Sequence, residues 1–255
     1  MTRLHIESLG QGADLLLLHG WGLHGGIWDG VREQLAQKFR LHIVDLPGYG
    51  ASAHCEPYSV AALASQVALA MPERAHVCGW SLGGQVAMRL ALDFPQRVGK
   101  LILLSSTPCF RQRADWMHAM DDATMQEFAR SLEQDYVGTL KRFLSLQARS
   151  GDDARAVIAT LRSKLFERGE PSLHSLRGGL AILHDLDLRP VVGSITQATL
   201  LLQGGRDTLT PLGAAEWLAQ HLPNNQLRVL DNAAHAPFLS HRLATMDAME
   251  QFLNA

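Results

Sequence analysis

Short aliphatic runs alternate with longer amphipathic stretches along this chain, the pattern expected of parallel strands joined by crossover helices. The runs predict strands at residues 4–9, 14–19, 41–45, 76–79, 100–105, 199–203 and 226–230. Several lack polar alternation, as strands covered on both faces should. Apolar positions recurring at three and four residues predict helices at 27–38, 59–71, 82–94, 214–221 and 239–252. Ser59 is suited to cap the second of these, while Pro95 and Pro223 follow two of the expected helix ends.

The alternation breaks between residues 108 and 189. Strand-like runs stop there, and helical spacing recurs at 124–132, 139–146 and 154–166. An insertion of roughly 80 helical residues between two strand-rich segments reads as a lid over the carboxyl edge of a sheet. The expected division is a core in two parts, 1–109 and 188–255, with a helical lid at 110–187. A separate helical domain of unrelated purpose is the alternative.

Composition narrows the class further. At 255 residues, 47% hydrophobic and 19% charged, the chain buries a sizeable core and does not read as disordered. Its 23 basic and 25 acidic residues nearly cancel, so the whole-chain field favours neither nucleic acid nor a membrane surface. Cys55, Cys78 and Cys109 are widely spaced and suggest neither a disulfide framework nor a zinc site. The longest aliphatic run, residues 15–18, is far too short to span a bilayer, and the amino-terminal residues have no apolar leader. A cytoplasmic monomer is expected.

Candidate chemistry begins at Gly79-Trp80-Ser81-Leu82-Gly83, a G-x-S-x-G motif placed between a strand and a helix. A sharp elbow there strains the serine backbone and brings residues two before and two after it too close for side chains. Gly79 and Gly83 answer that demand. The helix opening at Leu82 points unpaired N–H groups toward the serine, favouring negative charge. Gly20-Trp21-Gly22 after an earlier strand supplies a second donor, so the N–H groups of Trp21 and Leu82 are the expected oxyanion hole.

A serine hydroxyl needs a base, and the base needs a carboxylate to hold its tautomer. Of the 12 histidines, His235 stands in the short loop between the last strand and the last helix. Asp207 follows the strand at 199–203 and precedes His235 in the chain, as this architecture requires. Asp231 could instead brace the histidine loop, and Asp185 and Asp187 could bind lid to core. The set Ser81, Asp207 and His235 implies acyl transfer through serine. His19, His24, His54, His174, His184, His221 and His241 show no ligand spacing, so no metal or organic cofactor is expected.

These residues, from 19 to 237, resemble the α/β-hydrolase family. Within it, the segments Leu18-His19-Gly20-Trp21-Gly22, Val44-Asp45-Leu46-Pro47-Gly48-Tyr49-Gly50, Gly79 to Gly84, Arg142-Phe143-Leu144-Ser145-Leu146-Gln147 and Ala234-His235-Ala236-Pro237-Phe238 are similar to those of the carboxylesterases of biotin synthesis. The resemblance implies a mostly parallel sheet flanked by helices, with an inserted helical lid. It also implies hydrolysis of the terminal methyl ester of a pimeloyl chain carried on an acyl carrier protein, with Trp21, Leu82, Phe143 and Gln147 touching substrate. Another small-ester carboxylesterase or a carbon–carbon bond hydrolase keeps the same triad, and a ligand-binding receptor without turnover is a third reading.

The lid's charge can be set beside such a partner. Residues 111–140 carry three basic and six acidic side chains, whereas 141–177 carry eight basic and four acidic. Arg142 and Arg149, like Arg155 and Arg162, are seven apart and nearly eclipsed on a helix, while Val157, Ile158, Leu161 and Leu165 form an apolar face. These arginines are the expected docking patch for an acidic carrier protein.

Overall fold

The computed structural model describes residues 3–148 and 151–255. In chain order its first part runs β1 (Ile6–Leu9), β2 (Ala13–Leu18), α1 (Asp29–Ala36), β3 (Phe39–Val44), α2 (Val60–Ala70), β4 (Ala75–Trp80), α3 (Leu82–Asp93) and β5 (Val98–Leu104). Four consecutive helices follow: α4 (Asp122–Gln134), α5 (Tyr136–Gln147), α6 (Ala154–Lys164) and α7 (Leu173–Asp185). The chain then returns through β6 (Thr199–Gly204), α8 (Leu212–His221), β7 (Asn225–Leu230), α9 (Pro237–Ser240) and α10 (Arg242–Asn254).

The strands form one sheet in the order β1-β3-β2-β4-β5-β6-β7, parallel except for β1. All seven predicted strands are present, with ends shifted by one or two residues. Parallel register aligns Val44, Leu18, Gly79, Leu103 and Leu201 in one row across the sheet. The loops that leave the carboxyl ends of β2, β4, β6 and β7 therefore emerge on the same edge. Leu15 to Leu18 are completely buried, the result of helices covering both sheet faces.

Three helical expectations change. The stretch predicted at 27–38 splits into a tight 3-10 turn at Gly25–Trp28 and then α1. The stretch at 239–252 breaks at His241, whose φ of −122° and ψ of 48° separate α9 from α10. Helix α7 was not predicted, because Gly178 and Gly179 interrupt its pattern. Their purpose is contact: a Cβ on Gly179 would lie 2.6 Å from the Trp21 ring and from the Tyr49 hydroxyl, and one on Gly178 would lie 2.4 Å from Tyr58. Two glycines let aromatic rings rest directly on the helix backbone.

Polar bonds fasten α7 and the segment that leads into it to the sheet edge. The Trp21 indole N–H donates to the Leu176 carbonyl at 2.9 Å, and the Tyr49 hydroxyl to the Ser175 carbonyl at 3.1 Å. Arg168, just after α6, reaches the wholly buried carboxylate of Asp45 at 3.3 Å. Asp45 also accepts the N–H groups of Gly25 (2.6 Å) and Ala51 (3.0 Å). Burial pushes the Asp45 carboxyl up, but His19, these two N–H groups and Arg168 together hold it below the usual carboxylate range.

Candidate active site

Ser81 follows β4 at the turn into α3 with φ 56° and ψ −119°, a strained conformation for a side-chain-bearing residue. Its backbone is held on both sides. The Ser81 N–H donates to the Leu104 carbonyl at 3.1 Å, and the Ser81 carbonyl accepts from the Gly84 N–H and the Ser106 hydroxyl, each at 2.9 Å. The glycines are required by close approach. A Cβ on Gly79 would fall 2.2 Å from the Gly83 carbonyl oxygen, and one on Gly83 would fall 2.4 Å from that of Leu18.

His235 Nε2 lies 2.9 Å from Ser81 Oγ, and His235 Nδ1 lies 2.8 Å from Asp207 Oδ2. The carboxylate accepts a hydrogen bond from Nδ1–H, which leaves Nε2 with the lone pair that faces the serine hydroxyl. Asp207 is buried but fully satisfied. Its Oδ1 accepts the N–H groups of Leu209 (2.9 Å) and Thr210 (3.0 Å), and its Oδ2 also accepts the Thr210 hydroxyl (2.7 Å) and the Gln203 amide (3.1 Å). Burial alone would raise this carboxyl, yet His235 and the donors of Thr210 hold it below its ordinary value.

The imidazole is fixed through its own backbone as well. The His235 N–H donates to the Gln147 carbonyl at 3.0 Å, and the His235 carbonyl accepts the Trp80 indole N–H at 2.8 Å. The loop around it is tied to the inserted helices again by Asp152 N–H, which donates to the Asn232 carbonyl at 3.1 Å. Gln203 and Thr210 were not singled out from the sequence. A polar side chain closing the aliphatic run of β6 was the available signal for Gln203.

The two donor segments expected to face the serine are both beside it. Leu82 is the first residue of α3, and the turn after β2 passes so near that a Cβ on Gly20 would stand 3.3 Å from Ser81 Cβ. Trp21 packs edge-on against Phe143 at 4.9 Å between ring centroids, and Phe143 in turn meets Phe128 at 5.8 Å. Gln147 is buried on the same face of α5 as Phe143, and its Oε1 has no hydrogen-bond partner among the described residues. Ser81 itself is only 5% exposed.

Asp231 is exposed and stands outside the relay. Asp187 pairs with Arg189 at 2.7 Å and Arg113 at 3.8 Å, while Asp185 meets His184 at 2.6 Å. Arg142, Arg155 and Arg162 are exposed, and Arg149 lies outside the described residues. Lys164, Arg168 and Arg177 are drawn into ion pairs with Asp29, Asp45 and Glu133 respectively. Among the described residues, no ion pair engages Lys141, Arg142, Arg155 or Arg162.

One grouping has no counterpart in the sequence spacing: His54, Glu56 and His174 come together at the junction of the sheet edge with α7.

The alpha/beta hydrolase fold family matches residues 15–242. Over 240 residues the chain is 49% identical to a pimeloyl-[acyl-carrier protein] methyl ester esterase of Nitrosomonas europaea, covering 94% of this chain and 95% of that one. It is 44% identical over 245 residues to the pimeloyl-[acyl-carrier protein] methyl ester esterase of Nitrosospira multiformis, covering 93% of each. An esterase from Exiguobacterium antarcticum superposes with a TM-score of 0.89 at 24% identity, covering 100% of this chain and 96% of that chain.

Proposed function

The chain belongs to the alpha/beta hydrolase fold family, and on that premise we propose that it hydrolyses the methyl ester of pimeloyl-[acyl-carrier protein] methyl ester in biotin synthesis. The products are methanol and pimeloyl-[acyl-carrier protein]. The observation that carries the substrate is near-full-length identity of 49% to a curated esterase of that specificity. The relay of Ser81, His235 and Asp207 supports the reaction class.

Ser81 Oγ attacks the ester carbonyl as His235 Nε2 takes its proton, and Asp207 stabilises the imidazolium that forms. The backbone N–H groups of Trp21 and Leu82 receive the oxyanion. On collapse of the tetrahedral intermediate, His235 gives the proton to the departing methoxide, releasing methanol. His235 then takes a proton from water, whose oxygen attacks the acyl-serine. The second collapse frees the carboxylic acid as His235 returns its proton to Ser81, and the acid then ionises to the carboxylate in water.

Phe143 and Gln147 form the wall against which the acyl chain lies, on a lid that comprises residues 110–187. The apolar character of Trp21, Phe128 and Phe143 favours a methylated chain end over the charged product. Arg142, Arg155 and Arg162 are the docking residues for the acidic carrier; Arg149, expected with them from the sequence, lies outside the described residues. Supporting this, Arg142 lines a 520 Å³ groove between α4 and α5 with Phe128 and Leu146, and Arg162 leans on Ser145 of that groove at 3.4 Å. The reaction is a cytoplasmic one in this reading, performed by a monomer without a cofactor.

A mass-spectrometric time course with methyl pimeloyl-carrier thioester tests the proposal. Loss of 14 mass units from the carrier-bound chain, abolished in Ser81→Ala, is the expected result, 14 being about the mass of one CH₂ removed when a methyl ester becomes an acid. A carrier-linked ester left intact while a short aryl ester is cleaved overturns the substrate and leaves a general carboxylesterase.

A further inference from the structure

We propose that His54, Glu56 and His174 form a binding site for one divalent transition-metal cation of the zinc class, which clamps α7 onto the sheet edge. His54 Nε2 lies 3.0 Å from Glu56 Oε1, and His174 Nε2 lies 2.5 Å from the same oxygen. The three donor atoms are all within 4.8 Å of one another. A zinc ion holds imidazole nitrogen and carboxylate oxygen at roughly 2.0–2.2 Å, which puts its donors about 3.3 Å apart in a tetrahedron. Small side-chain rotations bring this trio to that spacing, and Glu56 and His174 are exposed enough to make them.

The donor set is chemically selective. Two imidazoles and one carboxylate suit zinc, nickel or copper better than calcium or magnesium, and three protein ligands leave a fourth position for water. The His54 ring is already oriented. Its Nδ1 is hydrogen-bonded to the buried Ser175 hydroxyl at 2.7 Å, which presents Nε2 to the other two donors. Stacking on Tyr58 at 5.1 Å and an edge contact with the His174 ring at 4.4 Å hold it further. An outer partner on the second ring nitrogen is the usual device that orients a metal-binding histidine.

Position gives the site its consequence. His54 and Glu56 stand in the loop between β3 and α2, whereas His174 belongs to the first turn of α7, so a shared cation joins segments that the chain separates by more than 100 residues. The same turn of α7 offers the Ser175 and Leu176 carbonyls to Tyr49 and Trp21. A cation at this place would hold α7 against Trp21, whose neighbours border the serine.

The test is calorimetric titration of the full, chelator-treated chain with zinc chloride, read together with hydrogen exchange of α7. Expected are one zinc per chain, slower exchange of residues 173–180 on binding, and loss of both effects in His174→Ala and in Glu56→Gln. His221→Ala, remote from the trio, retains them. Cobalt(II) at the same site gives a visible tetrahedral spectrum that His174→Ala abolishes. Absence of stoichiometric binding, or binding that both ligand variants keep, overturns the site. Binding without protection of α7 overturns the clamp. Circular dichroism establishes that each variant is folded, and Glu56→Gln serves if His174→Ala is not.

Discussion

The backbone N–H of His235 donates to the backbone carbonyl of Gln147 at 3.0 Å, so the proposed base and the last residue of α5 are joined directly. Displacing the end of α5 displaces the imidazole loop with it. Phe143 stands on that same helix, so on the proposed reaction an acyl chain bound against it would act on the element that sets the reach of His235 toward Ser81.

Replacing Asp207 with Asn keeps the shape of the relay but removes the charge that fixes the Nδ1–H tautomer. A fall in kcat on the order of 10⁴, with the fold retained, is expected by analogy with other neutralised triad carboxylates. Turnover within a factor of ten of the parent would move the acid's role elsewhere, with Asp231 the nearest alternative on the histidine loop.

Gln147→Leu separates stability from function. The substitution removes a buried carbonyl oxygen without a partner, and thermal unfolding should show a gain of about 1 kcal/mol. If the amide holds substrate, kcat/KM for the carrier-linked ester falls roughly tenfold, the equivalent of one hydrogen bond. A variant equally active and no more stable contradicts both roles.

Gly83→Ala places a Cβ 2.4 Å from the Leu18 carbonyl and 2.6 Å from that of His19, both backbone atoms of the neighbouring strand end. Denaturant unfolding should register a loss of more than about 3 kcal/mol, or no soluble protein at all. A loss below about 1 kcal/mol would show that the elbow can open without cost.

Acid should weaken the fold well above the carboxylate range. Buried His19 is neutral with both nitrogens engaged: Nδ1–H donates to the Gly20 carbonyl at 2.8 Å, and Nε2 accepts the Leu46 N–H at 2.9 Å. Burial lowers its pKa from 6.5 to about 4, so between those values the unfolded chain binds the additional proton. Stability is thus complete above pH 6.5 and declines toward pH 4, by on the order of 3 kcal/mol from this residue. His24 and His76, also lowered by burial, act in the same direction, and Asp207 and Asp45 add a further loss only as pH falls below 3.8. Melting temperatures across this range, steep in the parent and flatter in His19→Asn, would bear this out; a parent curve flat from pH 6.5 to 4 would refute it.

Arg142→Glu combined with Arg155→Glu should lower kcat/KM for the carrier-linked ester by roughly tenfold or more at low salt, leaving a free methyl ester within about twofold. Raising the ionic strength should shrink the difference, since exposed charges are screened beyond about 10 Å at 0.1 M. Equal losses on both substrates would instead report damage to the chemistry or the fold.

The strands and the elbow were legible because their signals are local. A run such as Leu15 to Leu18 is buried on both faces wherever it lies in a parallel sheet, and the glycines flanking Ser81 answer a collision within one turn of chain. The order of serine, aspartate and histidine was readable for a related reason: each stands at the carboxyl end of a strand, and parallel strands bring those ends to one edge. Helix α7 was hidden because its glycines serve Trp21, Tyr49 and Tyr58, residues more than 100 positions away. The break at His241 was hidden because apolar spacing continues through it.

The amino-acid order alone thus determined the strand count and the strained turn at Ser81, since backbone sterics and two-residue or 3.6-residue periodicity act over short stretches. Tertiary structure decided which carboxylate meets His235, that Gln203 and Thr210 brace it, that Gln147 holds the histidine loop, and that His54, Glu56 and His174 share a corner. Those pairings depend on how elements distant in the chain pack, and hydrogen bonds and ion pairs form only over the few ångströms that packing sets.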